Sequence, residues 1–124
     1  MFRTLTKLNN YEDMKAIIKT AGAWFVGSFT MEVLDNYNLC RTKEGKDNFL
    51  SEFHVLYCDD MPDAQLRNRI NCIIRIIESG MVIDAMNYVI GTSDDKIGCN
   101  DSKTNAKFLL ELIESGESKL PKFE

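Results

Sequence analysis

The apolar positions of this chain repeat mainly at helical spacing, and they predict an all-α protein. Stretches with apolar residues three or four positions apart predict helices near residues 11–21, 23–37, 47–58, 63–79, 81–90 and 102–115. Gly22, Gly80 and Gly116 follow three of these stretches, as glycines do at helix C-termini. The pattern therefore predicts one compact domain of five or six helices over residues 1–124, with a loose tail at 117–124.

Two segments leave an α+β fold open as an alternative. Residues 2–8 and 23–34 both contain β-branched and aromatic residues, which favour strands. Gly27 interrupts the second segment and weakens its helical pattern. In this alternative both segments form short strands, whereas in the all-α prediction residues 23–34 belong to a helix.

Three C-terminal helices have apolar faces that are too wide for ordinary surface helices. On a helical wheel the apolar residues of 66–77 cover roughly 200°, and those of 108–113 cover about half of the circumference. The helix between them is apolar except at Asp84 and Asn87. Such helices must be buried on more than one side, within one chain or against a second one. We therefore expect a homodimer that associates through the helical pair at 62–90.

Composition and charge exclude several classes of protein. The chain is 44% hydrophobic and 27% charged, which is typical of a soluble globular protein. Its net charge of −4 argues against sequence-independent binding to nucleic acid, which requires a positive field. The longest mostly apolar run, residues 21–34, contains Glu32 and is too short to span a membrane. Since no secretory signal pattern opens the chain, we expect a cytoplasmic protein with no membrane contact.

The cysteines and the single histidine are the natural candidates for covalent or metal chemistry. Cys40, Cys58, Cys72 and Cys99 form no CxxC pair, and we interpret all four as free thiols in a reducing compartment. His54 precedes Cys58 by one helical turn, so the two side chains could form a nucleophile pair or half of a zinc site. No second ligand pair has metal spacing, and a solvated helix face explains the same residues. The sequence therefore predicts no metal, no cofactor and no enzymatic activity.

Two other segments resemble functional motifs only in outline. The loop at 91–103 is rich in Gly, Asp, Asn and Ser, but counted from Ser93 it has Ile97 where an EF-hand needs an oxygen ligand and Thr104 where it needs a bidentate Glu. The segment 70–90 has a helix–turn–helix outline, but its second helix has no basic residue to reach a DNA groove. Neither segment predicts a binding site.

The polar face of the predicted helix at 63–79 is the best candidate for binding. Arg67, Asn71 and Arg75 form a line at i, i+4 and i+8 that could bind a partner rich in carboxylate or phosphate groups. Arg69 falls inside the apolar arc of the same helix, so it should need an acidic partner from another helix or another subunit. We predict a binding site formed by these four residues.

These observations favour a small non-enzymatic binding or regulatory protein that acts through protein–protein contacts, as an accessory subunit or an inhibitor. Its size and its content of Lys, Asn and Ile would suit a gene carried by a phage or mobile element. One alternative is a regulator associated with nucleic acid, with Arg67, Arg69 and Arg75 joined by Lys15 and Lys19 in a local basic surface. The other is a thiol enzyme built on the histidine–cysteine pair described above.

Overall fold

The described part of the chain consists of α-helices joined by short connections. A computed structural model of the protein describes residues 8–92 and 100–121. The helices are α1 (Tyr11–Ala21), α2 (Ala23–Asp35), α3 (Lys43–Tyr57), α4 (Asp63–Glu78), α5 (Val82–Gly91) and α6 (Asn100–Ser115), with a 3-10 turn at Leu39–Arg41 before α3. The described residues contain no strand, which confirms the all-α prediction. Residues 23–34 are helical, so the strand alternative is wrong there, and residues 2–7 lie outside the described residues.

Side-chain caps explain where two of the helices begin. The Asn10 side chain accepts a hydrogen bond of 2.9 Å from the Asp13 amide and caps α1. Thr42 caps α3 in the same way, because its Oγ1 accepts a hydrogen bond from the Gly45 amide at 3.1 Å. The apolar periodicity predicts a helix only from Asp47, since residues 43–46 are polar. The helix therefore begins four residues earlier than predicted.

The helix α4 is the centre of the core and contacts α1, α2, α3 and α5. The apolar residues of its wide arc are all buried within the single chain: Leu66, Ile70, Cys72, Ile73, Ile74, Ile76 and Ile77. Each fully buried aliphatic side chain contributes about 1.5–3 kcal/mol relative to an exposed one. Because the other helices already cover the arc, α4 does not require a second copy of the chain. The homodimer remains a prediction, but the width of this arc no longer supports it.

The helices α2 and α6 approach each other closely at small residues. The buried Ser102 hydroxyl lies 2.8 Å from the Trp24 carbonyl oxygen and 2.8 Å from the Ser28 hydroxyl. A Cβ on Gly27 would lie only 2.8 Å from the Ser102 carbonyl oxygen and 2.8 Å from a methyl of Val89. Gly27, which looked like a weakness of the helical pattern, is therefore the residue that lets α6 pack against α2.

A buried polar pair joins the end of α2 to the end of α4. The Tyr37 hydroxyl donates a hydrogen bond of 2.8 Å to Glu78 Oε2, and both side chains are buried. The second carboxylate oxygen, Oε1, has no hydrogen-bond partner among the described residues. Burial, followed by the hydrogen bond to Glu78, raises the pKa of Tyr37. Burial also raises the pKa of the neighbouring Cys40 thiol to about 11, against the opposing effect of Lys46.

Replacing Gly27 by alanine should destabilise the fold, although alanine has the higher helix propensity. The added methyl group must displace Ser102 or Val89, and overpacking of this kind costs about 1–3 kcal/mol. Gly91→Ala is the matched control, because a Cβ there would meet no described residue within 4 Å. Urea denaturation of the two variants checks the prediction, and equal stabilities would contradict it.

The stability of the fold should fall as the pH rises from about 9 to about 11. Cys40 ionises near pH 9 when unfolded but only near 11 when folded, so folding disfavours its thiolate. Its contribution is fully present below pH 9 and is lost as the pH passes 11, at a cost of about 2 kcal/mol. The free energy of unfolding, measured by denaturation at both ends of this pH range, should therefore fall less for Cys40→Ala than for the original chain. Equal decreases in the two proteins would show that Cys40 does not contribute to the pH dependence of stability.

Candidate binding surface

The predicted polar line on α4 faces the first turns of α3. Arg67 Nη2 lies 2.8 Å from Asp47 Oδ1, and both side chains are partly exposed. The hydrogen bond from Arg67 and its positive charge lower the pKa of the Asp47 carboxyl. Asn71 Oδ1 accepts a hydrogen bond from Lys46 Nζ. Arg75, one turn further along, also takes part in an interaction within the chain. The line therefore connects α4 to its surroundings as well as presenting polar groups.

Arg69 connects three helices. Its Nη1 donates a hydrogen bond of 2.7 Å to the carbonyl oxygen of Ala21, the last residue of α1. Its guanidinium also lies 5.2 Å from the centroid of the Trp24 ring and 5.6 Å from that of Phe25, both on α2. A helix C-terminus and aromatic faces are partially negative, so they stabilise a cation in place of the expected carboxylate. Arg69 therefore has partners inside the chain that sequence periodicity could not reveal.

Each of the four predicted binding residues therefore interacts with another part of the chain. Their role in binding a partner stays a prediction. Lys15, which belongs to the proposed basic surface, forms an ion pair with Glu12, with Nζ 3.0 Å from Oε1. Such pairs reduce the positive field that a nucleic acid would meet.

His54 and Cys58 do not form a catalytic pair in this structure. His54 Nε2 lies 2.8 Å from the Met61 carbonyl oxygen, and since a carbonyl can only accept, this nitrogen carries the proton. The same nitrogen is 3.5 Å from Asp63 Oδ1. Cys58 is buried, and this burial raises the pKa of its thiol. The histidine thus closes the turn after α3, and no hydrogen bond joins its ring to the cysteine.

A small open cleft separates α3 from the beginning of α4. Its volume is about 240 Å³, and its lining consists of Asp47, Leu50, Ser51, Asp63, Leu66 and Arg67. The Asp47–Arg67 ion pair lies in this lining, so two of its charged groups already neutralise each other. The rest of the lining combines the Asp63 carboxylate with one serine and two leucines.

The last turn of α3 exposes three consecutive apolar side chains, which we call the α3 patch. Val55 is 74% exposed, Leu56 69% and Tyr57 50%. Leu56 and Tyr57 continue the helical spacing of Phe49 and Phe53, so periodicity alone would place them on the core-facing side of the helix. Those phenylalanines are buried, but the final turn of the helix extends beyond the core and leaves the patch in solvent.

Aromatic packing holds the α3 patch in place. The Tyr57 ring lies 4.9 Å from the Phe53 ring and 5.4 Å from the Phe29 ring, and those two phenylalanines are 4.8 Å apart. At the other end of α3, a Cβ on Gly45 would overlap the carbonyl oxygen of Leu39, so the helix sits directly on the 3-10 turn. The patch therefore stands on a helix anchored at both ends.

Alkylation of the thiols should show that Cys58 is not an activated nucleophile. Its raised pKa reduces the thiolate fraction at neutral pH, and its burial limits access of the reagent. We expect Cys58 to react more slowly in the folded protein than after denaturation, with a rate similar to that of buried Cys40 and Cys72. Mass spectrometry of peptides after timed iodoacetamide labelling measures each site. Rapid and selective labelling of Cys58 would instead support the thiol-enzyme alternative.

The described residues contain neither a metal centre nor a membrane segment of recognisable form. No group of three or more His, Cys, Asp and Glu side chains in residues 8–92 and 100–121 could hold a metal ion. No helix in these ranges is long and apolar enough to cross a membrane. Comparisons of this chain with models of protein families, with curated protein sequences and with solved structures found no significant match.

Proposed function

We propose that this chain is a non-enzymatic binding protein of the cytoplasm, an accessory subunit or an inhibitor, whose α3 patch contacts a protein partner. The observation that carries the proposal is the exposure of three consecutive apolar residues, Val55, Leu56 and Tyr57, in the last turn of α3. Single exposed apolar residues are ordinary, but several of them at one end of a helix, with polar residues around them, are typical of a protein interaction site.

The side chains of the α3 patch also have little conformational freedom, which favours binding. Tyr57 is held by two aromatic neighbours while half of its surface stays free, so it loses little conformational entropy when a partner covers it. Val55 is β-branched and has few rotamers in a helix. Because a rigid surface loses little conformational entropy on binding, little of the free energy gained by burying it is offset.

We favour a different protein over a second copy of this chain as the partner. The apolar arc of α4, which suggested a homodimer through residues 62–90, is buried by the chain's own helices. Light scattering coupled to size exclusion, at two protein concentrations, distinguishes the two occupants. A monomer at both concentrations supports a different protein. A dimer that becomes a monomer after substitution of the α3 patch would show that the patch binds a second copy of this chain instead of a different protein.

The double substitution Val55→Ser and Leu56→Ser should abolish partner binding without unfolding the protein. Both side chains are exposed, so the free energy of unfolding should change by no more than about 0.5 kcal/mol per site. Loss of two interface anchors should weaken binding by at least about tenfold. The measurement is quantitative recovery of co-purifying proteins from lysate of the source cells with the original chain and each variant.

The double substitution Ile83→Ser and Phe108→Ser is the matched control. Ile83 is 43% exposed and Phe108 49% exposed, and they lie on α5 and α6, outside the α3 patch. A partner retained by this control and lost by the patch variant supports the proposal. Equal loss from both variants, or retention by both, contradicts it.

A further inference from the structure

Negative charge is concentrated around the α3 patch. The chain has 15 lysine and arginine residues against 19 acidic ones, but residues 47–66 contain none of the basic residues. The same segment contains five acidic residues: Asp47, Glu52, Asp59, Asp60 and Asp63. The net charge of the whole chain is −4, so this one segment accounts for the entire negative excess.

Three of these carboxylates are free to act on a partner. Asp47 is neutralised by Arg67, but Glu52, Asp59 and Asp60 are exposed and form no salt bridge within the described residues. Glu52 precedes Leu56 by four positions and therefore lies on the same face of α3. Asp59 and Asp60 follow the helix directly. Carboxylates thus border the α3 patch on both sides along the chain.

The turn that carries the two aspartates is fixed by hydrogen bonds. The Met61 amide donates to the Cys58 carbonyl oxygen at 3.0 Å, and His54 Nε2 donates to the Met61 carbonyl oxygen at 2.8 Å. The acidic pair is therefore held next to the apolar residues. The partial negative charge at the C-terminus of α3 adds to the field of the two aspartates.

We infer that the α3 patch selects a protein segment in which an apolar ridge is flanked by lysine or arginine side chains. This inference rests on the proposed function and names the chemistry of its partner. The apolar centre supplies the free energy of burial, and the acidic border attracts cations and repels acidic surfaces. The same border disfavours phosphate-rich surfaces, whether of nucleic acid or of an anionic membrane.

A synthetic helical peptide with leucine on one face and lysine on the other is the probe for this chemistry. Fluorescence anisotropy of the labelled peptide should show binding to the original chain that weakens between about 50 and 300 mM salt. A peptide with glutamate in place of lysine should bind at least about tenfold more weakly. Equal binding of the two peptides, or binding insensitive to salt, would overturn the inference.

The substitution pair Asp59→Asn and Asp60→Asn tests the location of the site. It should weaken binding of the leucine–lysine peptide by about fivefold or more, because two border charges are removed. The pair Glu111→Gln and Glu114→Gln removes the same charge from exposed positions of α6, and it should change binding by less than about twofold. An equal effect of both pairs would show only general attraction to an acidic protein, and would overturn the inference.

The same aspartate variant separates failure of the inference from failure of the proposed function. If a co-purifying partner is lost with Val55→Ser and Leu56→Ser but fully retained with Asp59→Asn and Asp60→Asn, the binding function stands and the cationic chemistry is wrong. If neither variant loses it, the proposed function fails. Selective sedimentation of the chain with anionic phospholipid vesicles, lost in the patch variant, would assign the α3 patch to membranes and overturn the inference.

Discussion

Seven apolar side chains on α4 must be removed from water, and the arrangement of the other helices follows from that requirement. Within the described residues, α1, α2, α3 and α5 contact α4, and together they cover an arc that no single neighbour could cover. The helix α6 packs in turn against α2, where Gly27 permits a close approach. A chain of 124 residues can therefore bury an unusually apolar helix without help from a second copy.

Burial of α4 also decides what its polar residues do. Helices packed on several sides of it come within reach of its polar side chains, and these side chains become connections between helices. Arg69 binds the C-terminus of α1 and two aromatic rings of α2, while Arg67 and Asn71 bind the start of α3. A line of polar residues on a central helix is consequently a weaker indication of a binding face than the same line on a peripheral helix.

The exposed apolar residues of the α3 patch lie at the periphery, where α3 extends beyond the core. Phe49 and Phe53 anchor α3 in the interior, and Tyr57, the last residue of this helix, still packs against Phe53. Val55 and Leu56, which precede Tyr57 in the same turn, are mostly exposed to solvent. Glu52 lies one turn earlier, and Asp59 and Asp60 follow the helix directly, so exposure and negative charge coincide at this end of α3. This coincidence, rather than any single residue, distinguishes the α3 patch from the scattered exposed residues of α5 and α6.

The sequence by itself determined the helical class, the approximate helix positions and the buried face of α4, because apolar periodicity and glycines at helix ends act over a few neighbouring residues. It also indicated that Arg69 needs a partner. Only the tertiary structure decided the identity of that partner, the role of Gly27 and the exposure of Leu56. These features depend on which residues distant in the chain come within a few ångströms, and helical spacing carries no information about such distances. For the same reason, the pattern that placed Leu56 in the core could not show where the core ends.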